Sequence, residues 1–169
     1  MKTSQSGSAR KAVQIVLAAG VAVGAAQAQA ADIFLRITGL PGESMDDKHK
    51  GDIDVLKYSQ VVDNKSCRLG ILKSVDRASP GLASAASTGG TFASATLFAR
   101  KAGKDQVEYY TITMQGVSVG TSDQSIAGSE LGSGTEAIVL VPKSMTISYT
   151  PQKADGSADA KVESVASCK

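Results

Sequence analysis

Two adjoining stretches, Thr91–Lys101 (TFASATLFARK) and Lys101–Val119 (KAGKDQVEYYTITMQGVSV), decide the fold. Between them, Ala102-Gly103-Lys104-Asp105 supplies the Gly and Asp that a tight turn needs for its unusual backbone angles. Beyond the turn, Val107, Tyr109, Thr111 and Thr113 fall on one face of a strand. Glu108, Tyr110, Ile112 and Met114 fall on the other. Neither face is purely polar, so both are expected to meet protein rather than open water. The preceding stretch is equally rich in β-formers, and the pair reads as a long β-hairpin with a short loop. Such a hairpin serves as a scaffold or as a surface for another copy.

Outward from the hairpin the same period continues. Asp32–Thr38 alternates, with Ile33, Leu35 and Ile37 opposing Phe34, Arg36 and Thr38, until Gly39-Leu40-Pro41-Gly42 stops it. Glu43–Gly51 (ESMDDKHKG) is a charged loop expected to bury little. Asp52–Val62 and Cys67–Val75 read as further strands. Ser79 fits an N-cap, Pro80 the first helical position and Gly89 a stop, with Leu82, Ala83, Ala85 and Ala86 as the apolar stripe between them. After the hairpin, Gly120–Thr135 is rich in Gly and Ser and reads as a mobile loop. Glu136–Val141 and Ser144–Tyr149 read as strands interrupted at Pro142, which removes a ladder donor and implies a bulge or an edge. Lys161–Cys168 reads as a short final extension. The sum is a mainly β domain of about six or seven strands with one short helix.

The first 30 residues stand apart. Lys2, Arg10 and Lys11 form a basic region without an acid, and Ala12–Ala26 is an apolar run too short to span a bilayer comfortably. Ala28-Gln29-Ala30 then offers the small-x-small cleavage pattern. This reads as a secretory signal cleaved after about Ala30, leaving one domain over residues 31–169; the alternative is an extension without a targeting role. The leader holds three of the 18 basic residues and none of the 16 acidic ones, so residues 31–169 carry a formal charge of −1. The apparent basic balance belongs to the leader, which removes the case for nucleic-acid binding. Two cysteines remain, Cys67 and Cys168. In an oxidising compartment they can form a disulfide closing a loop of about 100 residues, worth roughly 3–5 kcal/mol if unstrained. Two free thiols are the alternative.

Catalytic and metal chemistry find little support. His49 is the sole histidine, with Asp46, Asp47, Asp52 and Asp54 nearby. The spacing matches neither a calcium loop nor a zinc motif, and a single His in a charged loop is expected to be solvated. No Gly-x-Ser-x-Gly elbow accompanies the many serines, and neither cysteine sits in a nucleophile's context. Gly132-Ser133-Gly134 lacks the strand-before, helix-after setting of a phosphate loop. Tyr109 and Tyr110 point to opposite faces, which suits packing better than ligand stacking. The expectation is a protein without cofactor or metal that is not an enzyme.

Taken in order, several stretches resemble the haemolysin-coregulated protein (Hcp) family, the tube subunit of bacterial type VI secretion. They are Asp32-Ile33-Phe34-Leu35, Gly42-Glu43-Ser44 with Asp47-Lys48-His49, Ile53-Asp54-Val55-Leu56, and the Ser79-Pro80 helix entry. Arg100-Lys101-Ala102-Gly103, Gln106-Val107-Glu108-Tyr109, Ile112-Thr113, and Tyr149 with Pro151-Gln152-Lys153-Ala154-Asp155-Gly156 complete the set. The resemblance implies a two-sheet β-barrel of about six to eight strands with one short α-helix. It further implies a homohexameric ring, stacking into a tube that meets a VgrG-type spike and a contractile sheath and can carry small effectors. Gly39–Gly51 then corresponds to the family's ring-stacking loop, with Gly42, Glu43, Asp47 and His49 as its marked positions. Tyr110 and Ile112 become subunit-interface positions on the hairpin. The sequence departs from the family where Lys57-Tyr58-Ser59 replaces the usual tryptophans, where Asp63–Leu72 is short, and where the leader directs the chain out of the cytoplasm. The leader motivates a second expectation: a divergent periplasmic binding or adaptor protein on the same scaffold that forms no tube.

Overall fold

The structure is a computed structural model that describes residues 31–64, 66–101, 107–126 and 134–168. The expected turn at Ala102–Asp105 and the leader lie outside these residues. In chain order the elements are β1 (Ala31–Ile37), β2 (Ile53–Val62), β3 (Cys67–Ser74), α1 (Ser79–Thr88), β4 (Thr91–Lys101), β5 (Glu108–Ser125), β6 (Thr135–Val141), β7 (Ser144–Tyr149) and β8 (Val162–Ser167). Every strand pairing is antiparallel. The hydrogen-bonded order β4-β1-β2-β3-β6-β5 closes through a β4–β5 ladder into a six-stranded barrel, and β7 and β8 extend the sheet beyond β5. The expected β-barrel with one short helix is what the described residues form.

The hairpin is the seam of this architecture. β5 pairs with β4 from Glu108 to Ser118 on one side, with an irregularity between Ala99 and Arg100. On its other side it pairs with β7 over Tyr110–Gln115 and with β6 over Ser118–Ser125. β6 and β7 thus follow one another along β5, interrupted where Pro142 has no N–H to give. Opposite the interruption, Gly116 adopts φ 58°, and the Lys143 N–H donates to the Gln115 carbonyl at 2.9 Å. A side chain at that φ would strain the bend, so glycine fits it.

The core follows the period-two pattern. Leu35, Ile53, Leu69, Leu97, Ile112, Met114, Leu140 and Met145 are fully buried, and Leu82 and Ala85 of α1 join them from the helix. At the α1 end the inward phase turns polar. Lys73 and Glu136 face one another across β3 and β6, both fully buried. The Lys73 ammonium donates to Glu136 at 3.0 Å, to the Ser79 hydroxyl at 3.0 Å and to the Ser74 carbonyl at 2.8 Å, and it pairs with Asp76 at 2.8 Å. Glu136 also accepts from Ser79 at 2.6 Å, Ser122 at 3.0 Å and Gln124 at 3.1 Å.

That polar cluster accounts for two corrections. Ser79 does not cap α1. Ala78 holds the cap position without a side-chain bond, and the Ser79 hydroxyl is committed to Lys73 and Glu136. The Gly120–Thr135 stretch is not loop throughout. Gly120–Ser125 continues β5 against β6, with Ser122 and Gln124 turned to Glu136, while 127–133 lies outside the described residues. The stretch looks like a loop because the interior it faces is polar. Gly89 ends α1 in the left-handed region at φ 69°, as its position after the apolar stripe implied. The final extension is an edge strand, β8, in register with β7 from Ser144↔Ser167 to Tyr149↔Val162. A disulfide joins Cys67, at the start of β3, to Cys168, just past β8, with their Cα atoms 5.3 Å apart.

Candidate functional site

The outward face of β1 and β4 carries two aromatics and two arginines: Phe34, Phe98, Arg36 and Arg100. Exposed to water this face would be a poor surface, and the charged loop between β1 and β2 covers it. The loop is knit by its own backbone. The Gly42 N–H donates to the Gly51 carbonyl at 2.8 Å, Gly51 to Ser44 at 2.8 Å, and Ser44 to Asp52 at 2.9 Å. Gly42 is required for this path, because a Cβ there would collide with the Asp52 carbonyl.

Ion pairs then seat the loop on the barrel. Arg36 holds both oxygens of Asp52, at 2.8 and 2.9 Å, in a bidentate fork. Arg100 donates to both oxygens of Asp46, at 3.0 and 2.6 Å, and to Asp32 at 3.0 Å. Asp46 also accepts the backbone N–H groups of Lys48 and His49. The Arg100 bonds outweigh the loss of hydration and hold the Asp46 carboxyl at about 2, below its ordinary 3.8.

His49 is the centre of the seat, and its placement corrects the expectation of a solvated side chain in a loop that buries little. It is 1% exposed, stacked on Phe34 with ring centroids 4.1 Å apart and planes 8° apart, and tilted against Phe98 at 4.9 Å. Its Nδ1 lies 2.9 Å from Asp52 and its Nε2 3.3 Å from Glu108 of β5. Arg100 and Arg36 lie over the Phe34 and Phe98 rings at 4.9 and 5.2 Å. The arrangement packs and orients: rings stack, and each arginine is committed to a carboxylate. Among the described residues no cluster of three or more His, Cys, Asp or Glu side chains is arranged to hold a metal ion.

Of the four marked loop positions, Gly42 and His49 are buried and shape the loop, whereas Glu43 and Asp47 stand exposed beside Met45, itself 82% exposed. The two hairpin positions also face inward. Ile112 is fully buried in the barrel core. Tyr110 is half-buried on the same face, stacked with Tyr58 at 6.4 Å and donating to Gln60 at 3.1 Å. Burial raises the pKa of both phenols. The outward face of β5 carries Thr111 and Thr113 beside Thr146 and Ser148 of β7. Exposed apolar side chains include Leu56, Val61 and Val62 on β2, Val162 and Val165 on β8, Tyr149 on β7 and Ile126 after β5. Sequence reasoning missed the aromatic seat, although Phe34 and Phe98 in the outward phase of their strands were the signal that something covers them.

Comparison with known proteins accords with this architecture. Residues 34–154 match the family model described as type VI secretion system effector, Hcp. The chain is 34% identical over 146 residues to protein hcp1 of Pseudomonas aeruginosa, covering 77% of this chain and 90% of that protein. The crystal structure of Hcp1 from Salmonella typhimurium superposes with a TM-score of 0.72 at 31% identity, covering 82% of this chain and 94% of that one. A type VI secretion system effector from Yersinia pestis gives a TM-score of 0.69 at 30% identity, covering 80% and 99%. With a family model spanning most of its length and relatives that share its barrel end to end, the chain belongs to the Hcp family of type VI secretion proteins.

Proposed function

We propose that this protein is a tube subunit of a type VI secretion system, forming homohexameric rings that stack and can carry small effectors. The observation that carries this reading is the Hcp family match over residues 34–154 on a closed barrel with the family's architecture. Stacking falls to the seated loop, whose exposed Glu43, Met45 and Asp47 are held in a fixed position by the ion pairs beneath them. Lateral contacts fall to the apolar edges, Leu56, Val61 and Val62 on β2 and Val162 and Val165 on β8, in place of the inward-facing Tyr110 and Ile112. A VgrG-type spike and a contractile sheath are the further partners of such a tube. The protein is not an enzyme in this reading; its buried charges all serve packing. Native mass spectrometry of the purified protein is expected to give a hexamer, and a strict monomer at high concentration overturns the ring.

The leader adds a compartment to the proposal: cleavage after about Ala30 and a periplasmic or secreted destination. The Cys67–Cys168 disulfide supports an oxidising environment. N-terminal sequencing of protein from fractionated cells tests it, with Ala31 as the expected first residue. The same two features favour a second reading, a periplasmic adaptor on the Hcp scaffold that forms no tube; a monomer recovered from the periplasm with a bound partner selects it.

A further inference from the structure

We propose that the Cys67–Cys168 disulfide is a redox-operated clasp on the open edge of the molecule, holding β8 against β7 when oxidised and freeing β8 when reduced. The two ends of the bridge sit in unlike surroundings. Cys67 is 1% exposed, opposite Val62 in the β2–β3 ladder and part of the barrel core, so its position does not depend on the bridge. Cys168 is half-buried and follows a strand whose neighbour among the described residues is β7 alone. β8 contributes almost nothing to the core: Val162 and Val165 are 64% and 69% exposed, and only Ala166 packs inward. Without the bridge β8 keeps six backbone pairs along one edge, the Cys168 N–H to Lys143 carbonyl bond at 2.9 Å, an exposed Ser148–Glu163 hydrogen bond at 3.0 Å and the packing of Ala166 and Cys168. A short ladder of that kind, without a buried face, is marginal in water.

Reduction by a dithiol is balanced and has an accessible target. A thiolate attacks the Cys168 sulfur, the more exposed of the two, and the Cys67 thiolate leaves. The second thiol of the reductant then displaces Cys168 as a thiol, closing the reductant's own disulfide. The barrel keeps its six-stranded closure, which does not involve β8, whereas the outer edge of β7 from Ser144 to Tyr149 loses its partner and becomes an open edge.

Hydrogen exchange followed by mass spectrometry, on the oxidised protein with and without a dithiol reductant, tests the clasp. On reduction, amides of 162–167 and their partners in 144–149 are expected to exchange roughly tenfold faster or more, with β1 and β4 unchanged. Cys168→Ser is expected to behave without reductant as the reduced protein does, and to be insensitive to reductant. Unchanged protection of β8 on reduction overturns the clasp. Equal loss of protection in every strand also overturns it, because the bridge is then a global staple. Because Val162 and Val165 of β8 also stand among the proposed lateral contacts, native mass spectrometry of the same samples follows the oligomeric state, so that release of β8 and loss of a ring are told apart.

Discussion

At the residue scale the loop over β1 and β4 illustrates how charge and stacking let a polar segment behave as part of the core. His49 carries a titratable ring into a buried site, and the site accepts it because two phenylalanines take its faces and carboxylates take its edges. Asp46 makes the seat sensitive to acid. Its folded pKa, about 2, lies below the ordinary 3.8, so as the pH falls the unfolded chain takes up the proton first. Its contribution is therefore complete above about pH 4 and is lost as the pH falls toward 2. Glu136 acts in the same direction, its contribution present above its ordinary pKa and lost on acidification. Burial raises its pKa, but hydrogen bonds from Ser79, Gln124, Lys73 and Ser122 together outweigh it and hold it below the ordinary 4.5. Thermal melts across this range should show a falling midpoint, and Asp46→Asn should flatten the fall. Gly42→Ala forces the loop off the Asp52 carbonyl and should cost about 1–3 kcal/mol in denaturant unfolding.

At the scale of the element, α1 is fastened to the barrel less by its own turns than by the cluster at its start. Ten residues are too few for a stable isolated helix. Leu82 and Ala85 supply the apolar contact, and Lys73, Asp76, Ser79 and Glu136 fix where the helix begins. Removing one partner leaves an uncompensated buried charge, so Glu136→Gln should cost roughly 3–5 kcal/mol. The paired change Lys73→Met with Glu136→Leu should recover much of that loss, since two apolar groups need no mutual charge. Equal destabilisation by the single and paired changes in chemical denaturation would count against a role for the pair as such.

For the whole molecule, closure leaves few places for another copy to bind. The barrel pairs its own strands, the loop covers the aromatic face of β1 and β4, and the exposed apolar groups that occur together lie on β2 and β8, with Met45, Ile126 and Tyr149 exposed elsewhere. A charge at Leu56, which is 58% exposed, should leave the monomer folded while weakening any lateral contact. Leu56→Glu is thus expected to keep its melting temperature and lose its ring in native mass spectrometry. Tyr110→Asp should instead unfold the subunit, because its ring packs against Tyr58 and the core; a folded ring carrying that change would contradict this placement.

Much of this was legible in the chain itself. Alternation in Asp32–Thr38 and Val107–Val119, and the β-rich character of Thr91–Lys101, specified strands, because a strand repeats every second position, although the pattern leaves open which face of the hairpin turns inward. Gly89 marked the end of the helix, and the ordered motifs pointed to the Hcp family. What the sequence by itself could not decide was where polar residues go. Ser122 and Gln124 look like loop residues until Glu136 is found beside them, and Ser79 looks like a cap until Lys73 claims its hydroxyl. His49 looks solvated until Phe34 and Phe98 close on it. In each case the partner lies on another element, and only the folded barrel brings the two together. Burial of a polar group depends on a partner, and partners are a property of tertiary structure.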